Sequence, residues 1–302
     1  DALLHGGNTG APAAGGAVRA RAGGGHRGGP GRHGPAPVHP GIPEPDAAHP
    51  GTGAAAAGPA PAARARMRWP GHFNGAPNGI WVTSPEQFEA DFETYHRAGL
   101  QIHTHTNGDE ASEVAIHAVE RILARAPRQD HRHTLQHGQM IDAPLFRRMA
   151  SLGLCANLFA NHLWYWGDQH YEMTMGPDRA HRLDACGSAL AAGVPLAIHS
   201  DAPVTPLGPL FTALCAVNRV TPKGRVLGES ERLSVPQALH AITLGAAWTL
   251  KLDHEIGSIE CGKRADFCVL EDDPLGVDPA LLKDVRVWGT VLSGQVFEAR
   301  KV

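Results

Sequence analysis

From residue 68 onward, apolar and polar positions fall into two alternating periods, and each change of period marks a new element. Residues 84–99, SPEQFEADFETYHRAG, carry an apolar stripe at helical spacing, with Ser84 as the cap, Pro85 at the first helical position and Gly99 as the stop. The strand LQIHTH follows at once. Beyond it the pattern predicts a helix from about 110 to 126, a strand at 132–137, a helix at 143–151 and a strand in LGLCANLF. A long aromatic loop leads to a predicted helix over about 177–192, the strand VPLAIHS and a last helical stretch, SVPQALHAITLGAAWTL. Strand and helix alternate with polar residues gathered at strand C-termini, the arrangement of parallel βα units whose reactive groups share one rim. Strands near 102, 135, 156 and 197 make four such units, half of an eight-stranded barrel. Past residue 255 come short β segments with glycine turns, IGSIECGKRADFCVLEDDP and VRVWGTVLSGQVFEA, which predict a small β appendage.

Composition changes abruptly near residue 66. Gly, Ala and Pro supply 44 of the first 66 residues, and the large apolar side chains there are Leu3, Leu4, Val18, Val38 and Ile42. So little apolar surface cannot offset the backbone ordering cost of roughly 1–2 kcal/mol per residue, so disorder is the expectation for 1–66. The same texture is what out-of-frame translation of GC-rich DNA would produce. The division is thus a low-complexity segment 1–66, a β/α unit 67–254 and a β appendage 255–302. The stretch GGGHRGGPGRHGP is like Arg/Gly-rich RNA-binding tails but has no aromatic residue to stack on a base, so no nucleic-acid partner is expected. A formal charge of -3 gives no global field toward nucleic acid or membrane, and no stretch approaches the roughly 18 apolar residues of a span. Five cysteines without two-residue spacing are read as reduced thiols, which, with a start that lacks a basic n-region and apolar run, sets the expectation of a cytoplasmic protein.

Nineteen histidines are more than composition alone accounts for, and several stand where chemistry would need them. His103 and His105 are two apart on a strand, so both imidazoles take the same face. His137 closes the next strand 32 residues after His105, one βα repeat on, and His199, Ser200 and Asp201 end a strand two repeats further. Three βα units then place an imidazole or carboxylate at one level, as a metal reached from different strands requires. The plainer reading, helix caps and turn formers, suits Asp109 best and His137 least.

The text HTNGDEA (105–111), RHTLQHGQMID (132–142), ANLFANHLWYWGDQHY (156–171), IHSDAPVTPLGPLF (198–211) and GSIECGKRADFCVLEDDPL (257–275) resembles the amidohydrolase superfamily, specifically amidohydrolase family 3, the N-substituted formamide deformylase-like metal-dependent hydrolases. The resemblance runs from about residue 65 to the end. It implies a distorted TIM-like β/α barrel, here its C-terminal half, with a remnant of a small β-sandwich built from both chain ends. It also implies one or two divalent metals, usually zinc. By position, His105 and His137 are implied as metal ligands, and Asp201 as both ligand and proton shuttle. A metal-activated water attacks a small-molecule N-acyl or amide-type substrate, and the carboxylate passes the proton to the departing nitrogen. His103 and His199 stand beside these positions and are expected to orient ligands or face the substrate. His162, Trp164, Tyr165 and Trp166 are expected to wall a pocket.

Two parts of the family pattern have no counterpart: a strand-one His-x-His before Arg66, and a metal-bridging Lys or Glu from strand four, the first lysine being Lys223. His103 and His105 cannot serve as the strand-one pair, since 96 residues separate His105 from Asp201 where seven βα repeats need roughly 200 or more. The alternative to an active hydrolase is therefore a catalytically inactive truncated or frameshifted remnant. Half a barrel also leaves a sheet edge in need of cover, which predicts a homo-oligomer or poor solubility.

Overall fold

The punctuation read in the sequence sets the first helix of the computed structural model, which describes residues 65–299 and the backbone of residues 2–7. In α1 (Pro85–Arg97) the Ser84 side chain accepts from the Gln87 amide. In α3 (Ala143–Leu152) Asp142 does the same for Leu145, and Gly153 at φ 69° closes the helix. Between them, α2 (Asp109–Arg125) opens at Gly108, and the Asp109 carboxylate accepts from the amides of Arg68 and Glu110, the turn-forming role expected of it.

These helices cover a five-stranded sheet of β1 (Ala2–Gly7), β2 (Gln101–Thr106), β3 (Thr134–His137), β4 (Cys155–Leu158) and β5 (Leu196–Ile198), ordered as numbered. Strands β2 to β5 are parallel, which confirms the α/β, half-barrel reading. Phe88, Phe92, Ile116, Val119, Ile122, Phe146 and Met149 from the helices pack on Ile102, Leu135, Ala156 and Leu196 in one core. Strand β1 was not anticipated. It pairs antiparallel along the whole of β2, Ala2 opposite Thr106 and Gly7 opposite Gln101, and so occupies the edge expected to stand open. An open edge offers a row of unpaired N–H and C=O groups, and backbone pairing to it asks little of the side chains. The rest of the low-complexity segment, 8–64, on which the readings of disorder and of out-of-frame translation fall, lies outside the described residues.

Past β4 the chain forms α4 (His162–Tyr165), α5 (Gly167–Gln169) and a π-helical turn, His170–Thr174. Two predicted helices are broken in the structure. The 177–192 segment splits into α6 (Pro177–Ala180) and α7 (Cys186–Ala191), with Asp184 at φ 45° between them. The Asp184 amide donates to the Gln139 carbonyl, and its own carbonyl accepts from Arg219, so tertiary partners take the groups a continuous helix would use. The last stretch splits at Thr243 into α9 (Val235–Ile242) and α10 (Leu244–Thr249), where a Cβ at Gly245 would lie 2.2 Å from the Leu196 carbonyl oxygen. One helix went unread: α8 (Pro209–Asn218) buries Phe211, Leu214, Cys215 and Val217 and has no polar face to give a period away.

The β appendage is a single antiparallel sheet of β6 (Phe267–Leu270), β7 (Val287–Leu292) and β8 (Gln295–Glu298), one sheet of the two a sandwich needs among the described residues. Leu282, in the turn Pro279–Asp284, is buried in the main core. No helix of the described residues is long and apolar enough to cross a membrane. All five cysteines are free thiols.

Three histidines form a closed polar network at the N-terminal end of the sheet. The His133 Nδ1 accepts from the Ile102 amide at 3.0 Å, so its proton sits on Nε2 and is donated to His96 Nδ1 at 2.9 Å. His96 in turn donates from Nε2 to the Ala126 carbonyl, and His131 Nδ1 accepts from the His133 amide while its Nε2 donates to Leu152. Every ring nitrogen is used with all three rings neutral. Burial, with the neighbouring His131, His96 and Arg128 adding to it, pushes the His133 imidazole down to about 2 from an ordinary 6.5. Above 6.5 neither folded nor unfolded chain is protonated there, and below it only the unfolded chain gains the proton. Stability measured by urea denaturation is therefore expected to fall by about 1.4 kcal/mol per pH unit below 6.5 from His133 alone, and His133→Gln should flatten that slope by about one proton. A slope unchanged in the variant would contradict this.

Candidate metal centre

Because β2, β3 and β5 run parallel, their C-terminal ends meet at one rim, and each delivers a polar group there. His105 comes from β2, His137 is the last residue of β3, and His199 and Asp201 follow β5. His137 at φ 66° and Asp201 at φ 52° hold left-handed backbone, a conformation that costs of order 1–3 kcal/mol for residues with a side chain. The surroundings enforce it. Gly138, itself at φ +55°, has Ile141 Cδ1 and Leu158 Cδ2 each 2.9 Å from where a Cβ would sit, so a side chain there would be strained and would push both neighbours aside. Behind Asp201, Asn161 Nδ2 donates to Thr205 Oγ1 at 2.8 Å and that hydroxyl donates to the Ser200 carbonyl, a fully buried strut between the turns after β4 and β5.

The ring centres of His105 and His137 lie 4.5 Å apart, and those of His137 and His199 5.0 Å apart. Ligand atoms of His137, His199 and Asp201 all lie within 4.8 Å of one another. Tetrahedral ligands at ~2.0–2.1 Å from an ion are ~3.4 Å apart, so modest side-chain settling brings this set into range of one cation. Of the trio implied by sequence, His137 and Asp201 belong to that group. His105 stands against His137, its Nε2 3.2 Å from Asn107 Nδ2. His199 takes the third place, yet its Nδ1 accepts from the Asp201 amide at 3.1 Å, which puts the proton of a neutral ring on Nε2. It faces the cluster as an N–H donor, and its Nε2 is buried without a hydrogen bond among the described residues. His103 sits on a polar rung across three strands: Gln136 Nε2 donates to its Nδ1 at 2.6 Å, and Asn157 Nδ2 donates to Gln136 Oε1 at 2.8 Å.

A cavity of about 290 Å³ is lined by His103, His105, Gln136, His137, His199 and Asp201. A second, of about 200 Å³, shares His105, His137 and Asp201 and adds Phe159, His162, Trp166 and His170. Trp166 and His162 line this second cavity. Trp164 does not; it packs edge-on against Phe211, ring centres 5.8 Å apart, and Tyr165 meets the same ring. Gln136, Asn157, Phe159 and Asp184 were not singled out from the sequence. Phe159 stacks on His199 with ring centres 5.1 Å apart, and Asp184 lies 3.4 Å from His162.

Burial raises the Asp201 carboxyl above the ordinary carboxylate range, with His162 opposing the rise. Burial also lowers His162 and His199 to about 3, so both present neutral rings. The Cys155 and Cys186 thiols are pushed up to about 12 by burial, which leaves neither as a nucleophile. Neutral imidazoles and one carboxylate in a small recess are a donor set suited to a divalent cation.

The sequence pattern of the amidohydrolase family matches residues 53–297. The chain belongs to the amidohydrolase family. It is 30% identical to the protein YtcJ of Bacillus subtilis (strain 168) over 225 residues, 72% of this chain and 41% of the relative. It is also 30% identical to the N-substituted formamide deformylase of Arthrobacter pascens over 201 residues, 66% of this chain and 36% of that enzyme. The solved structure of an uncharacterized metal-dependent hydrolase from Pyrococcus horikoshii OT3 superposes with a TM-score of 0.62 at 24% identity, over 72% of this chain and 43% of that one, and so shares the fold. This amidohydrolase chain spans about two fifths of the length of the curated relatives it matches.

The Thr205 strut tests how the rim is held. Thr205→Val keeps the volume but leaves Asn161 and the Ser200 carbonyl unpaired, so urea denaturation should show a loss of about 1–3 kcal/mol. A loss below about 0.5 kcal/mol would mean the strut is incidental.

Proposed function

We propose that this chain carries the site of a metal-dependent hydrolase of carbon–nitrogen bonds other than peptide bonds, acting on a small N-acyl or amide-type substrate. The observation that carries the reading is the convergence of His137, His199 and Asp201 ligand atoms within 4.8 Å, beside His105, at the ends of parallel strands. His137 and Asp201 would hold the ion together with His105, whose ring centre stands 4.5 Å from that of His137, and His199 would face it as an N–H donor. Zinc in such a set supplies a polarised carbonyl and a water of lowered pKa.

The side chains divide the remaining work. Asp201 Oδ takes the proton of the attacking water as the carbon–oxygen bond forms, and gives it to the nitrogen as the carbon–nitrogen bond breaks. Its raised affinity for a proton, caused by burial, suits a group that must hold that proton between the two steps. Phe159 and Trp166 give the cavity an apolar wall against which an N-substituent packs and bulk water is kept out. The name of the Arthrobacter pascens relative, an N-substituted formamide deformylase, supports the amide-type substrate class. The alternative reading is a catalytically inactive chain that keeps the cluster without turnover.

Zinc titration of the metal-stripped chain, followed by an N-benzylformamide hydrolysis assay, separates the two. The hydrolase reading predicts near-stoichiometric zinc, at least a 10-fold weaker affinity in His137→Ala, and a loss of about 10³-fold or more in kcat for Asp201→Asn with the fold retained. Zinc binding without turnover would favour the remnant. No zinc binding at all would overturn both roles given to the cluster.

A further inference from the structure

Asp184 is completely buried in the break between α6 and α7, and neither carboxylate oxygen has a hydrogen bond within the described residues. Three groups bear on it. His162 Nδ1 lies 3.4 Å from Oδ2, the backbone of Phe159 stands nearby, and the Arg219 guanidinium contributes charge while giving its N–H groups to the carbonyls of Leu183, Asp184 and Leu227. His170, the other imidazole near His162, is committed elsewhere, since Gln139 Nε2 meets its Nε2 at 2.9 Å and Thr174 Oγ1 meets its Nδ1 at 2.7 Å. The Arg219 N–H groups are spent on carbonyls rather than on the carboxylate, so an ionised Asp184 is costly and the His162–Asp184 pair settles with no net charge; closing the 3.4 Å approach, at which neither atom is yet hydrogen-bonded, puts one proton between Oδ2 and Nδ1. Whichever of those two atoms holds the bridging proton, Nε2 keeps its own.

The ring of His162 is fixed on its faces by Phe159, with ring centres 4.1 Å apart, and by Trp166 at 5.5 Å. Its Nδ1 edge is turned to Asp184, and the ring lines the cavity shared by His105, His137 and Asp201, so the Nε2 edge is the one left for that cavity. We infer that Asp184 is a positioning residue that holds His162 with Nε2–H aimed into the cavity, where it donates a hydrogen bond to the acyl oxygen of the substrate. The inference rests on the hydrolase reading and adds to it the group that meets charge developing on that oxygen. Burial favours the uncharged form of both partners, raising the Asp184 carboxyl well above its ordinary range and lowering His162 to about 3. Nothing in packing alone explains the carboxylate, because a leucine or asparagine would fill the same space without the desolvation cost.

The test uses the full chain labelled with ¹⁵N-histidine. In the unsubstituted protein, long-range ¹H–¹⁵N spectra should show His162 protonated at Nε2 with a hydrogen-bonded Nδ1, and Asp184→Leu should abolish the Nδ1 hydrogen-bond shift. A His162 protonated only at Nδ1, or an Nδ1 signal indifferent to Asp184→Leu, overturns the inference. This arm needs neither metal nor turnover, so it fails separately from the hydrolase reading, and the spectrum of the unsubstituted chain decides it even where Asp184→Leu does not fold. With activity in hand, Asp184→Leu and His162→Leu should each lower kcat by about 10²-fold with KM little changed. Asp184→Asn, whose amide donates to Nδ1, and His162→Gln, which keeps a donor, should each restore about 10-fold of that loss. A fall in KM and kcat together, unrescued by either conservative variant, would mark a structural role and overturn the inference.

Discussion

Parallel backbone pairing of β2, β3, β4 and β5 in chain order is the constraint on which the rest depends. His103 pairs with Thr134 and Thr106 with His137 in the β2–β3 ladder, and Gln136 pairs with Asn157 across β3–β4. A slip of one residue in any of these ladders would turn a histidine from the rim into the helical layer. Helices α1, α2 and α3 bury Phe88, Ile116 and Phe146 against Ile102 and Leu135, which leaves His103, His105, Gln136 and Asn157 on the other face. His137 alternates with Gln136 and so shares the parity of Leu135; it reaches the rim through its left-handed backbone at the end of β3.

What the sheet provides is refined by local strain and by buried polar struts. His137 and Asp201 both hold left-handed backbone at the last turn before their loops, and Gly138 and the Asn161–Thr205–Ser200 chain keep them there. Strain of this kind persists only when the surroundings over-determine it, and two of the residues that carry it, His137 and Asp201, line the cavity. The same economy governs the neighbouring charges. His199 is tied to the Asp201 amide and His103 to Gln136, and His162 turns its Nδ1 to Asp184, so these three imidazoles each have one nitrogen directed at an orienting group.

Much of this was legible in the chain because caps, stops and strand-end histidines announce themselves locally. Ser84 and Pro85 do in the structure what such residues do in any helix, and the His105–His137 spacing of one βα repeat brings the two rings to 4.5 Å. The site residues that escaped notice are defined by burial, which a sequence does not print. Asp184 reads as a helical surface residue until its depth is known, and Phe159 as core until it stacks on His199. Trp164 shows the converse, an aromatic in the right loop that turns to Phe211 instead. The break at Asp184 and the all-apolar α8 were missed for one reason: both are set by tertiary partners, Arg219 and the core, rather than by a local period.

The account stands on the rings of His105 and His137 and the carboxylate of Asp201 sharing one cation. X-ray absorption fine structure on the zinc-loaded chain measures that directly. It should show imidazole back-scattering in a shell of nitrogen and oxygen at ~2.0–2.1 Å, with the imidazole signal reduced in His137→Ala. A shell of six oxygens, unchanged by that substitution, would place the ion elsewhere and contradict the account.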